Sequence, residues 1–283
     1  MEDSVNYPLV SPKRFIKEFL YDKLTVIVDC RWDLLDKKKG YREYIKAHIP
    51  GAIYADMEND LSDMSRDRAG RHPMPGPEKF KRFAENLGVT EDTRVVAYDI
   101  DGSGASRLWF LMYFYGHKNS YILDGGLNAY LREGGTLTDE IPRLERKGRF
   151  NPVESIDIIV RRDDIKQKRH NVVDAREPHR YRGESEMIDR IAGHIPGAKN
   201  LPYTLFIKDG KFKSAQEVKD ILSGVGKDPV FYCGSGVTAC VPFVASMIAG
   251  VKARIYPGSW SEWISYEDTD VETGDVSSSG KEL

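Results

Sequence analysis

Residues 229–249 read PVFYCGSGVTACVPFVASMIA. The stretch opens on Val230-Phe231-Tyr232, a short β-favouring apolar run that predicts the end of a buried strand. A glycine-punctuated turn follows, Cys233-Gly234-Ser235-Gly236-Val237-Thr238. From Thr238 on, Ala239, Val241, Phe243, Val244, Met247 and Ile248 predict a largely buried helix. Pro242 suits that helix only near its start, where few backbone N–H bonds are lost. Strand, tight loop, helix is also a layout that activates a thiol. Loop amides and the positive end of the helix dipole converge on the residue at the loop's head, here Cys233. That environment favours the thiolate, the reactive form of cysteine. Gly234 and Gly236 free the backbone to aim several N–H groups at one sulfur. Taken alone, the same residues also fit an inert cysteine in a core.

Working outward, the programme occurs twice. Val172-Val173-Asp174-Ala175-Arg176 answers Ile27-Val28-Asp29-Cys30-Arg31. Gly193-His194-Ile195-Pro196-Gly197-Ala198 answers Ala47-His48-Ile49-Pro50-Gly51-Ala52. Val230-Phe231-Tyr232 answers Val96-Ala97-Tyr98, and the Cys233 loop answers Asp101-Gly102-Ser103-Gly104-Ala105-Ser106. Ile255-Tyr256-Pro257-Gly258 answers Leu123-Asp124-Gly125-Gly126. Matches in one order at a long period predict two duplicated domains rather than a solenoid. Alternating strands and helices predict an α/β fold in which each domain is a mostly parallel sheet with helices on both faces. The expected division is a first domain over 1–135, a polar linker over 136–151, a second domain over 152–275 and a flexible tail over 276–283.

The first half carries an aspartate where the second carries Cys233. It is Asp101 by loop alignment, or Asp99 if the register follows Tyr98 and Tyr232. An aspartate is no sulfur nucleophile, so a thiol site belongs to the second domain alone. The first domain then serves as a scaffold that lends side chains across the interface. His48 and His194 stand at equivalent turns of both halves, which predicts a structural role for each.

The 283 residues carry a formal net charge of -2, with no strong basic excess to attract nucleic acid or an acidic membrane. The acidic start, Met1-Glu2-Asp3-Ser4, lacks a signal-peptide pattern, and the apolar stretches are too short to span a bilayer. Three cysteines, Cys30, Cys233 and Cys240, form neither a disulfide framework nor a zinc pattern. A cytoplasmic protein without metal or cofactor is expected.

These residues together resemble the tandem rhodanese family of sulfurtransferases, which act on 3-mercaptopyruvate or thiosulfate. The carriers are the Asp-x-Arg strand ends, both His-Ile-Pro-Gly turns, Leu123-Asp124-Gly125-Gly126-Leu127, the Cys233–Thr238 loop and Gly258-Ser259-Trp260-Ser261-Glu262-Trp263. The resemblance implies two rhodanese-like domains, the first inactive. It implies that Cys233 takes a sulfur from a small-molecule donor as a persulfide, cradled by Gly234, Ser235, Gly236, Val237 and Thr238. It also implies a thiol, a thioredoxin-like protein or cyanide as acceptor. Thiosulfate enzymes of the family place Arg and Lys after the cysteine, whereas Cys-Gly-Ser-Gly-Val-Thr accompanies mercaptopyruvate. Arg180 matches the family's first substrate arginine, and Arg190 is taken as the second. Ser235 is expected to move a proton with His72 and an acid from Glu58, Asp60 or Asp63, with Asp60 carried as the site residue. Trp260 and Trp263 are expected to pack beside the loop. Two rival readings remain. A non-catalytic persulfide carrier fits the same cysteine, whereas a phosphatase would need an arginine at Ala239, six positions on.

Overall fold

The structure, a computed structural model, describes residues 7–143, 147–167 and 170–275. The expected flexible tail, 276–283, lies outside the described residues.

In the first domain the strands are β1 (Leu9–Val10), β2 (Thr25–Asp29), β3 (Ile53–Tyr54), β4 (Arg94–Tyr98) and β5 (Ser120–Leu123). They form a five-stranded sheet in the order β1-β5-β4-β2-β3, parallel throughout. The second domain uses β6 (Val172–Asp174), β7 (Lys199–Asn200), β10 (Val230–Tyr232) and β11 (Arg254–Ile255) in the order β11-β10-β6-β7, again parallel. A small antiparallel hairpin, β8 (Ile207–Lys208) with β9 (Lys211–Phe212), interrupts it. The interior strands β4 and β10 are apolar runs because helices cover both faces of a parallel sheet.

The duplicated motifs hold the two sheets in the same way. The Arg31 guanidinium donates to Asp29 at 2.6 Å and to Ala47 O at 2.8 Å. Arg176 donates to Asp174 at 2.6 Å and to Gly193 O at 2.7 Å. His48 Nδ1 lies 2.8 Å from Tyr44 O, and His194 Nδ1 lies 2.8 Å from Tyr181 O. Each ring stacks on that tyrosine. Both histidines are structural, as their presence in both halves implies.

The helix after β4, Ser103–Phe114, packs on the helix after β10, Cys240–Ala249. Phe110 meets Phe243 edge to face at 5.2 Å. The domains therefore share one continuous core, and both interior-strand loops face their interface. The first domain's surface holds the expected linker at Thr138, which pairs with His48, and also the first residues of the expected second domain, where the Val153 and Ser155 N–H groups donate to the Tyr115 and Phe114 carbonyls. The next ladder contact, Val160 N–H to Ile255 O, already belongs to the second sheet.

Candidate active site

Cys233 leaves the end of β10, directly after Tyr232. Tyr232 lies opposite Asp174 as Tyr98 lies opposite Asp29, so the first-domain counterpart of Cys233 is Asp99 and the alternative, Asp101, is set aside. The Gly236 N–H donates to Cys233 Sγ at 3.1 Å. In the first domain the Gly102 N–H donates to Asp99 Oδ1 at 2.8 Å, and the Ala105 N–H to Oδ2 at 3.0 Å. Gly102 and Gly236 share a φ of 82°, a left-handed turn that points the amide inward. The same anion cradle is thus built twice. In one half a carboxylate fills it, and burial with the neighbouring Asp101 charge pushes Asp99 up to about 8. In the other half the cradle faces a sulfur.

The second cradle is narrower than the sequence predicts. Among the described residues, Gly236 supplies the one amide that donates to the sulfur. The carbonyls of Val237 and Thr238 instead accept from Cys240 and Val241, and the helix begins at Cys240. The loop is held from outside. Its Cys233 N–H donates to Ser259 Oγ at 3.1 Å, and the Cys233 and Gly234 carbonyls accept from Trp260 and Ser261 N–H at 3.0 Å each. Ser259 sits at φ 56°, a left-handed strain stored beside the sulfur. Trp260 packs there as expected, with its Nε1–H on Ile191 O at 2.9 Å.

The thiol itself is enclosed. Cys233 is 1% exposed. Two guanidiniums lie over the neighbouring Gly234. A Cβ on that glycine would come within 2.7 Å of Arg71 Nη2 and 3.5 Å of either Nη of Arg180. Arg180 is therefore at the site as predicted, held by Glu186 at 2.9 Å and by Asp189 at 2.9 Å. Arg190 is not at the site: it is exposed, and its guanidinium caps the Ile264 carbonyl. The other guanidinium over Gly234 is that of Arg71, from the first domain. The absence of a cation within the loop thus does not leave the loop without one.

Ser235 Oγ lies 2.8 Å from His72 Nδ1 across the domain boundary. Burial, and then the charges of Arg107, Arg71 and Lys37, push His72 down to about 3, so the ring is neutral. No predicted acid hydrogen-bonds to it among the described residues. Asp60 accepts from the Asp56 N–H at 2.8 Å, Glu58 pairs with Lys37 at 2.7 Å, and Asp63 caps Ser65. The loop folds on itself because Asp56 Oδ1 takes the Glu58 and Asn59 amides in a local turn. What His72 meets instead is the edge of Trp32 at 5.7 Å and a small pocket lined by Lys37, Tyr54, Asp56 and Glu58.

A further residue ties these parts together. Arg107 is fully buried, and its guanidinium donates to Leu61 O, to His72 O at 3.0 Å and to Gly236 O at 3.1 Å. It forms no ion pair with a carboxylate among the described residues. Sequence reading passed over both Arg71 and Arg107. The available signals were a cation adjoining His72 and a lone arginine heading the apolar run Leu108–Tyr115.

Residues 13–133 and 161–266 each match the rhodanese-like domain family. A Pseudomonas aeruginosa protein described as a probable 3-mercaptopyruvate sulfurtransferase is 40% identical over 265 residues, covering 88% of this chain and 93% of the relative. A Mycobacterium tuberculosis protein described as putative thiosulfate sulfurtransferase SseB is 35% identical, covering 84% and 87%. The crystal structure of the Escherichia coli 3-mercaptopyruvate sulfotransferase SseA superposes with a TM-score of 0.79 at 30% identity, covering 89% of this chain and 98% of that one.

Proposed function

The chain belongs to the rhodanese-like family, and from that premise we propose that it is a sulfurtransferase that prefers 3-mercaptopyruvate as donor and carries the sulfur on Cys233. The Cys233 thiolate attacks the donor's sulfur. The donor's carbon–sulfur bond breaks, its electron pair passes to carbon as the pyruvate enolate, and a persulfide forms on Cys233. The Gly236 amide, aimed at the sulfur, offers its N–H to the charge that remains there. A proton delivered through Ser235, backed by neutral His72, converts the enolate to pyruvate. A thiolate or cyanide then attacks the outer sulfur and restores the Cys233 thiolate. Three free cysteines and the small-molecule chemistry support a cytoplasmic setting; among the described residues no helix is long and apolar enough to cross a membrane.

The observation that carries the donor preference is the 2.8 Å contact between Ser235 and His72. A leaving enolate needs a proton donor close by. A leaving sulfite, the product from thiosulfate, does not. The thiosulfate reading draws on a different observation, the Arg71 cation over Gly234. Specificity constants measured side by side decide between them. We expect kcat/KM for 3-mercaptopyruvate to exceed that for thiosulfate by about tenfold or more, and Ser235→Ala to lower the former while sparing the latter. A higher constant for thiosulfate, unaffected by Ser235→Ala, defeats the preference. A single stoichiometric transfer without turnover would make the protein a carrier instead.

A further inference from the structure

We propose that Arg71 is a donor-binding residue: with Arg180 it forms a clamp across the two domains for the donor's carboxylate, and Asp189 is the tethered carboxylate that fills this clamp between turnovers. The proposal rests on the sulfurtransferase reading and adds to it the second cation and its resident occupant.

Four observations carry it. First, one carboxylate bridges the two guanidiniums. Asp189 Oδ1 accepts from Arg71 Nη1 and its Oδ2 accepts from Arg180 Nη2. The two arginines come from different domains and both lie over Gly234, next to the thiol. Paired guanidiniums are the arrangement that recognises a planar carboxylate. Second, the clamp survives the loss of Asp189. Arg180 is also held by Glu186 through Nε at 2.9 Å and Nη2 at 3.0 Å. The Arg71 backbone N–H is fixed on Ser261 Oγ at 2.9 Å, with Gly70 packed against the Gly258 carbonyl. Third, Arg71 Nε is buried without a hydrogen-bond partner, so the clamp has a donor that Asp189 does not use. Fourth, Cys233 is 1% exposed, and the residue that follows it lies under both guanidiniums.

Asp189 is well suited to leave. It lies in a segment, Glu184–Arg190, that is neither helix nor strand, and Met187 at its tip is 90% exposed. Its withdrawal breaks no sheet ladder. Exchanging one carboxylate for another keeps the charge between the arginines unchanged, so donor entry strands no buried cation. A neutral thiol offers no such exchange, which makes the clamp a filter for anionic donors.

The test compares Arg71→Ala, Arg71→Lys and Asp189→Asn with the unmodified protein. KM and kcat are read with 3-mercaptopyruvate. Pyruvate and thiosulfate affinities are read by calorimetry, and Cys233 access by its rate of alkylation with iodoacetamide, a neutral reagent. We expect Arg71→Ala to raise KM and weaken pyruvate binding by about tenfold with kcat changed by less than about threefold, and Arg71→Lys to recover part of the loss. Asp189→Asn should tighten pyruvate binding and speed alkylation several-fold. Thiosulfate bound with the same Arg71 dependence would mean a general anion clamp. Dependence for pyruvate alone would mean one shaped for a carboxylate. Pyruvate affinity and KM within twofold of the unmodified protein in both Arg71 variants overturn the proposal, as does an unchanged alkylation rate in Asp189→Asn. Calorimetry needs no turnover, so a donor that fails to react defeats the sulfurtransferase reading while the pyruvate affinities still decide for or against the clamp.

Discussion

Arg107 Nη1 donates to the carbonyl of Gly236 at 3.1 Å, and the amide of that same glycine donates to Cys233 Sγ at 3.1 Å. A cation from the inactive domain is thus one residue removed from the reacting sulfur. A buried guanidinium without a carboxylate costs free energy unless an anion stands nearby. The proposed reaction makes such an anion at Cys233 in each cycle. On the proposed mechanism Arg107 is a positioning residue that both shapes the loop and sets its field.

Replacing Arg107 with Met, of similar volume and no charge, should lower kcat by about tenfold or more and slow Cys233 alkylation at neutral pH. It should also lower stability by about 2–4 kcal/mol, because the Leu61, His72 and Gly236 carbonyls lose their donor. Arg107→Lys keeps the charge and should recover the alkylation rate more fully than the stability. Alkylation in Arg107→Met as fast as in the unmodified protein would leave the residue a purely structural tie.

Cys233→Ala should abolish donor-dependent transfer, whereas Cys30→Ala and Cys240→Ala should retain it. Both other thiols are buried, and burial pushes Cys240 up to about 12 and raises Cys30 as well, so neither supplies a thiolate at neutral pH. Mass spectrometry after exposure to donor should find one added sulfur atom on the peptide containing Cys233. Persulfide on Cys240 instead would reassign the nucleophile.

His72 makes stability depend on pH in a definite direction. Its folded value is depressed to about 3 from an ordinary 6.5, chiefly by burial. Above 6.5 both folded and unfolded chains hold it neutral. As pH falls below 6.5 the unfolded chain takes up a proton that the folded one refuses, so stability is lost. The loss tends to about 1.4 kcal/mol for each pH unit toward 3. Denaturant titrations of His72→Asn should show a shallower acid-side slope than the unmodified protein. Parallel slopes would mean that His72 carries a proton in the fold, and with it that Ser235 faces an imidazolium.

Gly236→Ala should disable the cradle. The added Cβ would stand 2.2 Å from the Pro257 carbonyl, in a backbone conformation that only glycine adopts freely. A cost of about 1–3 kcal/mol in stability and a loss of transfer by about a hundredfold are expected. Turnover within a few-fold of normal would show that the amide of Gly236 does not serve the sulfur.

Much of this was legible along the chain, because the deciding interactions are local or periodic. Buried parallel strands must be apolar runs, and a cradle of loop amides needs glycines next to its sulfur. The repeated Asp-x-Arg and His-Ile-Pro-Gly motifs announce the same sheet-end locks twice. The aspartate that replaces the nucleophile was narrowed to Asp99 or Asp101, and only the pairing of Tyr98 with Asp29 chose between them.

What the sequence by itself determined is the duplicated α/β architecture, the single domain that carries a cysteine in its interior-strand loop, and Cys233, Ser235, His72 and Arg180 as candidates that the fold brings together. Tertiary structure alone decided which other charges meet there. Arg71 and Arg107 come from the first domain, Arg190 turns away to cap Ile264, and Asp60 spends its carboxylate on Asp56. The reason is physical. Local pattern dictates strands, turns and caps over a few residues, whereas the partners of a long charged side chain depend on which surfaces the shared core brings face to face.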